Sequence, residues 1–255
     1  MAWSLVTVTY NSEANIRKFW GNVALPRGCE WIVVDNASND GTVEAVLALG
    51  GQVLELEANR GFAFANNVGF RASHGEHVAF VNPDVRVEQS GLDVLESVLS
   101  RTDALIAPQL LNEDGSPQPN GRGWPYLLTQ VANRIRPSGV DGIYRIFASP
   151  EETEKEVVWL TGAVIAGRRE TLAALGPWDE SYFLYYEDVD LCLRARNDNI
   201  PCIVAGDVTW VHGWARESAD FRFTPWRRQL TSAARFYLRH PRLIRADPHM
   251  KGLDR

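Results

Sequence analysis

Near-continuous apolar runs alternate with helical patterns through the first hundred residues, and this alternation is the feature that most constrains the fold. Runs typical of buried strands lie at 4–10, 30–38, 51–58, 76–84 and 103–111, and helical spacing marks 42–50, 62–73 and 91–100. Such strands, separated by helices, are typical of a parallel sheet that is covered on both faces. The sequence therefore predicts an α/β fold with a Rossmann-like, mostly parallel central sheet and helices on both faces.

The pattern changes after residue 111, where clusters of glycine, proline and asparagine replace the regular alternation. Residues 112–156 indicate a long excursion, and not a linker between independent domains. Strand character returns at 157–167 and 200–213, and helical character at 168–176, 185–198 and 225–241. We predict a single domain over 1–220, with halves 1–111 and 112–220, followed by a basic helical extension over 221–255.

Composition and charge restrict the class of protein. With 255 residues, of which 45% are hydrophobic, the chain is long enough for one sizeable core. The net charge of −6 argues against general nucleic-acid binding, although residues 221–255 hold nine Lys and Arg against two acids. That basic segment favours an anionic membrane or a phosphorylated ligand as its partner.

Targeting and redox features predict a cytoplasmic protein. No apolar run approaches the roughly 18 to 20 residues that cross a bilayer. The N-terminal stretch MAWSLVTVTYN lacks a basic region before its apolar residues, so a secretory signal is not expected. Cys29, Cys192 and Cys202 are an odd number without C-x-x-C spacing, which favours a reducing compartment over a disulfide framework or a zinc site.

Polar residues follow three of the predicted strands. In open parallel sheets, ligands bind beyond the carboxyl ends of the strands, so these side chains are expected in one cleft. The residues at these ends are Tyr10 and Asn11, Asp35 and Asn36, and Asn82, Pro83 and Asp84. Because the sequence has neither a G-x-G-x-x-G nor a Walker motif, the standard dinucleotide-binding and P-loop folds are disfavoured.

Each candidate side chain also has a plain structural explanation. Asp35 either accepts a hydrogen bond from a base or ribose, or is one of three candidates, with Ser38 and Asp40, for the cap of the next helix. The pair Asn66–Asn67 is either solvated or directed inward toward a partner. Asp188 is either a functional acid at the border of a buried face, or a charge that complements the dipole of its helix. His212 is either structural or shares a divalent cation with Asp84.

Six motifs together resemble the family 2 glycosyltransferases with the GT-A fold, across nearly the whole chain. They read VTVTYNSEANI, IVVDNASNDGT, NRGFAFANNVGF, FVNPDV, WLTGAVIAGRRETLAALGPWDESYFLYYEDVDLCLRAR and VHG. Within that family, N-x-GFA-x-ANN-x-G and GPWDESYFLYYEDVDLCLR are most similar to the rhamnosyltransferase-like branch, which uses dTDP-rhamnose. Each motif alone is weakly specific, whereas their combination is highly specific.

The resemblance implies a metal site and a catalytic base. Asp84 corresponds to the last acid of the family's D-x-D metal motif, and Asn82 replaces the first acid, as it does in the rhamnosyltransferase-like branch. His212 corresponds to a position that completes metal or diphosphate binding. Asp188 corresponds to the catalytic base, with Glu187 as the fallback. The implied cofactor is a divalent metal, Mg²⁺ or Mn²⁺.

The resemblance also implies a pocket for the sugar nucleotide. Asp35 corresponds to the acid that binds the nucleotide base. The other residues expected to bind the nucleotide or the donor sugar are Thr9, Tyr10, Asn11, Asn36, Asn59, Gly61, Phe62, Asn66, Asn67, Asn82, Gly162 and Ala163.

The expected reaction is an inverting transfer of rhamnose from dTDP-rhamnose to a hydroxyl of a saccharide or polyprenyl-linked acceptor in cell-surface polysaccharide biosynthesis. A UDP-sugar is the alternative donor. A nucleotidyltransferase usually has a glycine-rich, basic loop after the first strand, where this chain reads YNSEANIRKFW. An inactive sugar-nucleotide-binding module is disfavoured by four retained residues, Asp35, Asp84, Asp188 and His212.

The C-terminal segment has three possible roles. Apolar residues recur there at helical spacing, namely Trp226, Leu230, Ala233, Ala234 and Tyr237, and basic residues occupy other positions, namely Arg227, Arg228, Arg235 and Arg239. The pattern is compatible with peripheral contact of residues 221–245 with the inner face of the cell membrane. Packing on the core and a homodimer contact are the alternatives.

Overall fold

A computed structural model describes residues 2–21, 25, 27–135, 139, 141–213 and 223–245, with side chains of the last segment from residue 228 onward. Its strands are β1 (Trp3–Thr9), β2 (Cys29–Asp35), β3 (Gln52–Glu55), β4 (His77–Val81), β5 (Val85–Arg86), β6 (Leu105–Leu111), β7 (Gly121–Arg122), β8 (Arg145–Ile146), β9 (Lys155–Val157), β10 (Trp159–Leu160), β11 (Val164–Arg168) and β12 (Cys202–His212). Its α-helices are α1 (Glu13–Asn15), α2 (Thr42–Ala48), α3 (Phe62–Ala72), α4 (Gln89–Arg101), α5 (Leu127–Ile135), α6 (Arg169–Leu175), α7 (Glu187–Asn197) and α8 (Phe223–Arg239). A π-helical segment, Ile16–Trp20, continues α1, and a 3₁₀ turn, Pro241–Leu243, follows α8.

The central sheet is mixed, with one reversed strand inside it. Eight strands are hydrogen-bonded in the order β3-β2-β1-β4-β11-β6-β12-β5, and β9 pairs with β12. The strands β1 to β4 run parallel to one another, as do β6 and β12. β11 runs antiparallel to its neighbours β4 and β6. The start of β11 therefore lies at the sheet edge where the parallel strands end.

Helices cover both faces of this sheet. On α3, Gly69 lies so close to Val6 and Val34 that an added Cβ would lie 2.4 Å and 3.2 Å from their side chains. Strand side chains alternate between faces, so Trp31 points away from α3. On that other face, the ring of Trp31 stacks on Trp20 of the π-helical segment, with 4.1 Å between centroids. The predicted arrangement of helices is thus confirmed.

The single strand predicted at 157–167 is wrong, because the chain changes sheets within it. β9 pairs with β12, whereas β10 pairs with β7 in a separate three-stranded sheet of order β10-β7-β8. A turn at 161–163 then leads into β11. From Val157 to Gly167 the residues are buried except in the turn, so the sequence is largely apolar there and carries no signal at the point where the partner strand changes.

One face of α8 packs on the segment 183–186, which precedes α7. The contacts are Arg228 over the ring of Phe183 at 4.1 Å, a 2.8 Å hydrogen bond from Ser232 Oγ to the carbonyl of Leu184, and the rings of Phe236 and Tyr186 at 5.0 Å. Packing on the core, one of the three roles considered for this segment, therefore applies to this face.

The apolar stripe expected on α8 is split between two faces. Tyr237 is buried, whereas Leu230 and Ala234 are exposed and Ala233 is half-buried. The side chains of Trp226 and Arg227 lie outside the described residues, as do residues 214–222 and 246–255 of the predicted extension. Among the described helices, each is too short or too polar to cross a bilayer.

Candidate functional site

The polar residues predicted at the strand ends lie along one edge of the central sheet. Thr9 and Asp35 are register partners at the ends of β1 and β2. Val81, the last residue of β4, pairs with Val164, the first residue of the reversed β11. The turn before β11 therefore meets the same edge as the ends of the parallel strands.

Asp35 lies at the centre of a hydrogen-bonded loop. Its side chain is only 2% exposed, and its Oδ1 atom accepts hydrogen bonds from Thr9 Oγ1 (2.8 Å) and Ser38 Oγ (2.6 Å). Its Oδ2 atom accepts one from the Ser38 amide (2.8 Å). The first helical amide of α2, that of Thr42, donates instead to Asp40 (3.1 Å). Asp35 thus organises the loop after β2 and does not cap the helix.

Two other pocket candidates surround this loop. The backbone amide of Asn11 donates to Ser38 Oγ (2.8 Å), and Asn11 Oδ1 accepts from the Asn39 amide (2.9 Å). Asn11 adopts a positive φ of 51°, a conformation that asparagine tolerates better than most residues. Next to it, the ring of Tyr10 is 53% exposed.

A turn at residues 59–62 connects the loop after β2 to the segment before α7. Asn36 holds this turn from both sides, because its Nδ2 donates to the Gly61 carbonyl (3.2 Å) and its Oδ1 accepts from the Arg60 amide (2.8 Å). Asn59 Oδ1 accepts from the Gly61 amide (3.0 Å). The Phe62 amide in turn donates to the carbonyl of Phe183 (2.8 Å).

The two asparagines of α3 are directed inward. Asn67 Nδ2 donates to the carbonyl of Trp178 and to Glu180, each at 2.9 Å, and its Oδ1 accepts from the Trp178 amide. Asn66, 1% exposed, donates from Nδ2 to the carbonyl of Phe62 (3.1 Å). The inward alternative therefore describes both residues, and Asn67 ties α3 to the loop before α7.

Asp84 and His212 form a buried pair beyond the ends of β4 and β12. Asp84 Oδ1 lies 3.4 Å from His212 Nε2, and the Gly213 amide donates to the Asp84 carbonyl (2.8 Å). On the other side of the imidazole, Nδ1 lies 2.8 Å from Gln118 Oε1. Gln118 Nε2 donates to the His212 carbonyl (2.9 Å) and to Asn112 Oδ1 (2.9 Å), which fixes the orientation of the amide.

This arrangement fits a divalent cation. Because Gln118 Oε1 is an acceptor, His212 Nδ1 carries the proton, and in the neutral ring the lone pair on Nε2 is directed at Asp84. Oxygen and nitrogen ligands of one small cation lie about 3 Å apart, close to the separation seen here. Across the described residues, no third His, Cys, Asp or Glu joins the pair, so a bound ion would need further ligands, such as phosphate oxygens.

The turn before β11 links Asn82 to Asp188. The Asn82 amide donates to the carbonyl of Ala163 (2.9 Å), and the Gly162 amide donates to Asp188 Oδ2 (2.9 Å). An added Cβ on Gly162 would lie 3.5 Å from Asp188 and 3.7 Å from the ring of Phe62. Backbone contacts therefore connect the Asn82–Asp84 turn to the acidic pair at the start of α7.

The two acids of that pair have different environments. Glu187 is 4% exposed and its Oε2 atom is buried without a hydrogen-bond partner, and burial followed by the charge of Asp188 raises its pKa to about 8. Burial also raises the pKa of Asp188, but the amides of Gly162 and Val189 and the charge of Arg122 oppose that rise. At neutral pH this arrangement favours a protonated Glu187, beside a half-buried Asp188 whose charged form is stabilised by two backbone amides and by Arg122.

The backbone immediately before the acidic pair is strained. Tyr185 and Tyr186 have φ values of 71° and 73°, each costing of order 1–3 kcal/mol. The Tyr186 ring packs against Phe236 and Tyr237 of α8, at 5.0 Å and 6.0 Å between centroids. These contacts hold the turn that presents Asp188.

Sequence reasoning missed three residues that support the site. Ser38 was noted only as a helix-cap candidate, and it donates twice to Asp35. Gln118 and Arg122 lie in the irregular excursion, where no periodic pattern marks them. The guanidinium of Arg122 lies over the rings of Tyr144 (5.7 Å) and Trp159 (5.9 Å), and its Nη1 atom is buried without a hydrogen-bond partner.

Comparisons with known proteins agree with this architecture. The chain is 26% identical over 207 residues to the low-salt glycan biosynthesis hexosyltransferase Agl10 of Haloferax volcanii, covering 77% of this chain and 62% of the relative. It is 29% identical over 208 residues to an N-acetylglucosaminyl-diphospho-decaprenol L-rhamnosyltransferase of Mycobacterium tuberculosis, covering 73% of this chain and 68% of that protein. The chain thus spans less than two thirds of the length of its archaeal relative.

A solved structure shows the same fold. The mannosyltransferase PcManGT from Pyrobaculum calidifontis, in complex with GDP-Man and Mn²⁺, superposes with a TM-score of 0.60 at 20% identity, covering 98% of this chain and 66% of that one. The predicted GT-A fold is therefore confirmed. The family model described as glycosyl transferase family 2 matches residues 4–149, more than half of the chain. The chain therefore belongs to glycosyl transferase family 2.

Proposed function

We propose that this chain is an inverting, metal-dependent glycosyltransferase that moves rhamnose from dTDP-rhamnose to a hydroxyl of a saccharide or polyprenyl-linked acceptor. The family assignment and the two relatives, one named as a hexosyltransferase and one as an L-rhamnosyltransferase, support this choice. A UDP-sugar is the second candidate donor, since a bacterial structure of the same fold was solved with UDP.

One structural relationship carries the proposal. The Asn82 amide donates to the Ala163 carbonyl, and the amide of the preceding residue, Gly162, donates to Asp188. Thus Asn82, two residues before Asp84, and Asp188 at the start of α7 both contact the segment 161–163. A donor whose diphosphate lies near Asp84 would place its sugar beside Gly162, within reach of the carboxylate of Asp188.

In the proposed reaction, the acceptor hydroxyl oxygen attacks the anomeric carbon as the bond from that carbon to the diphosphate oxygen breaks. Asp188 takes the hydroxyl proton, which contributes about 10²–10⁴-fold to the rate. Attack from the face opposite the leaving group inverts the anomeric centre, and no covalent enzyme intermediate forms. Glu187, protonated and enclosed, keeps a second negative charge away from Asp188.

The other residues bind and orient the donor. Asp35 and Thr9 present a fixed polar surface to the base, and the ring of Tyr10 packs against it. Asp84 and His212 would hold a divalent cation, Mg²⁺ or Mn²⁺. When bound, such a cation supplies positive charge to the departing diphosphate. Gly162 leaves room for the donor sugar next to Asp188, because a side chain there would occupy that space.

We assign nucleotide binding to 1–111, acceptor binding and catalysis to 112–220, and an auxiliary role to the basic extension 221–255. The site of action is the cytoplasmic face of the cell membrane. The three cysteines are unpaired, which agrees with a reducing compartment.

The direct test is release of nucleoside diphosphate by the purified chain. A thermal-shift screen against dTDP-rhamnose, UDP-sugars and GDP-mannose, each with Mg²⁺ or Mn²⁺, first identifies the donor. We expect stabilisation by dTDP-rhamnose plus metal, and turnover when a lipid-linked acceptor is added. Stabilisation by a UDP-sugar instead would identify that sugar nucleotide as the donor in place of dTDP-rhamnose. Donor binding without turnover on any acceptor would favour the inactive sugar-nucleotide-binding module.

A further inference from the structure

The helix α5 exposes most of its large apolar side chains to solvent, although Leu127 at its start packs on the core. Leu128, Val131 and Ile135 recur at helical spacing and are 71%, 45% and 80% exposed. Gln130 and Asn133, on the other side of the helix, are half-buried. A surface helix of a globular protein normally turns its apolar stripe toward the core, so the stripe on α5 needs another partner.

Further exposed aliphatic side chains belong to α8, which contacts the start of α5, and to the segments after these two helices. The Tyr237 hydroxyl donates to the carbonyl of Pro125 (2.9 Å), which joins α8 to the start of α5. Seven of the nine exposed large hydrophobic side chains among the described residues belong to α5, α8 or the segments that follow them, namely Leu128, Val131, Ile135, Ile143, Leu230, Leu238 and Ile244. Scattered exposed apolar residues are ordinary, but such a concentration marks an interaction surface. These seven residues are the apolar surface.

Positive charge predominates in the segments that form the apolar surface. The sequence contains no Asp or Glu from 116 to 140 or from 221 to 246, although the whole chain has 32 acids in 255 residues. Arginines occur in both stretches, three in the first and seven in the second, and Arg242 and Arg245 are exposed in the structure. The exposed Asp141, two residues before Ile143, is paired with Arg145. A border with this excess of arginine complements a negatively charged partner.

Aromatic side chains lie at the start of α5. The rings of Trp124 and Tyr126 stack with 6.3 Å between centroids, and both residues are half-buried. Tyrosine is enriched at the level of lipid headgroups, where an apolar ring with a polar tip is favoured, whereas the indole nitrogen of Trp124 is buried in the protein. The aliphatic side chains and arginines together match an anionic bilayer better than the surface of another protein.

We infer that the apolar surface docks this chain on an anionic lipid bilayer, with α5 as the main element and α8 as its basic neighbour. The sequence alone indicated a membrane contact through residues 221–245. The inferred contact also includes residues from the range 127–143. The turn at Tyr185 and Tyr186, just before Asp188, contacts α8, because the ring of Tyr186 packs against that of Tyr237. The inference stands on surface residues alone and does not depend on which sugar is transferred.

Vesicle sedimentation of the full chain tests the inference. We expect the protein to pellet with phosphatidylcholine vesicles that contain phosphatidylglycerol, and to remain in the supernatant with phosphatidylcholine alone. The double variant L128N/I135N should bind at least about tenfold more weakly, because it removes two apolar side chains from the interface. Arg242→Gln combined with Arg245→Gln should weaken binding and reduce its dependence on salt.

Matched controls separate docking from general surface effects. Leu47 on α2 is 57% exposed and lies outside the apolar surface, so L47N should bind vesicles like the wild type. Arg27 is exposed at the amino end of β2, the sheet edge opposite to the site, and R27Q should also behave like the wild type. L128N/I135N should keep its melting temperature and its sugar-nucleotide hydrolysis, so that loss of docking is distinguished from loss of function.

Two results would overturn the inference. One is a chain that stays in the supernatant with every vesicle composition at low salt. The other is a dimer in sedimentation velocity that L128N/I135N dissociates while vesicle binding is unchanged, which would assign the surface to a second copy of the chain.

Discussion

The amide of Gly162 donates to Oδ2 of Asp188 across 2.9 Å, joining the turn before β11 to the first turn of α7. The same turn accepts a hydrogen bond from Asn82 through Ala163. A carboxylate held by a backbone amide keeps its charge and its position, which are the two requirements for a general base. The site therefore relies on main-chain contacts between segments far apart in sequence.

Replacement of each acid by its amide should separate their roles. We expect D188N to lower kcat by about 10²–10⁴-fold with donor affinity nearly unchanged, because the amide cannot take a proton. E187Q should lower kcat by less than about tenfold, since Glu187 already holds a proton at neutral pH. Steady-state kinetics and donor titration on both variants check this. A more severe loss in E187Q than in D188N would reverse the assignment.

The raised pKa of Glu187 makes folding stability depend on pH. Its pKa of about 8 in the folded chain lies above the ordinary value of 4.5. Protonation of Glu187 therefore contributes its full share to the free energy of unfolding below about pH 4.5. This contribution is lost as the pH rises to about 8. Relative to E187Q, the wild-type free energy of unfolding should fall by up to about 5 kcal/mol across that window. Urea denaturation of both proteins at several pH values measures the difference, and a constant difference would contradict the assignment.

Gln118 should control metal affinity through His212. We expect Q118L to weaken Mn²⁺ binding by about 10–100-fold, because the imidazole loses the partner that orients it. D84A should remove binding altogether, whereas D114N, in an exposed turn, should have no effect. Electron paramagnetic resonance titration of Mn²⁺ reads the affinity directly, without turnover. Wild-type affinity in Q118L would show that the contact does not orient the ring.

Asp35 and Asp40 provide a matched pair within one loop. We expect D35A to weaken nucleotide binding, because the carboxylate that organises the loop after β2 is lost. D40A removes the acceptor for the Thr42 amide, so it should cost about 0.5–2 kcal/mol of stability and leave nucleotide affinity intact. Calorimetric titration with the nucleoside diphosphate, combined with denaturation, compares the two. If D35A and D40A lost nucleotide affinity equally, the loss in D35A would be assigned to disorder of the loop alone.

Two glycine-to-alanine variants should fail in different ways. Gly61 has a φ of 89°, and an added Cβ would lie 2.5 Å from the carbonyl of Phe183, so G61A should lower the melting temperature. At Gly162 the nearest atoms would lie 3.5 Å away, which is ordinary contact. We therefore expect G162A to fold normally and to lose kcat/KM, because the methyl group occupies the donor-sugar space. Normal turnover in G162A would place the sugar elsewhere.

Much of the fold could be predicted because its buried strands are short, apolar and bounded by turn residues. The alternation from β1 to β6 carries its own signal, and the polar residues after β1, β2 and β4 indicate the functional edge. The reversed β11 gave no such signal, because an antiparallel strand buried between two neighbours is as apolar as a parallel one. Strand direction is set by the path of residues 112–163, which has no periodic pattern.

The site was only partly predictable for a related reason. Acids and asparagines in recognisable motifs could be selected by their spacing. Arg122 and Gln118 act through side chains that reach the site from the irregular excursion, and nothing local distinguishes them from other polar loop residues. Whether Glu187 or Asp188 is ionised depends on burial and on the amide of Gly162, which only the folded chain provides.

The packing of α8 against residues 183–186 has a consequence for biosynthesis of the protein. Phe236 and Tyr237 follow Asp188 by nearly fifty positions along the chain, yet they support the strained turn before it. When only β1 to β12 have emerged from the ribosome, the polar residues at the strand ends would already be assembled, but the turn before Asp188 would lack its support. Activity should therefore arise last, after α8 has emerged and docked.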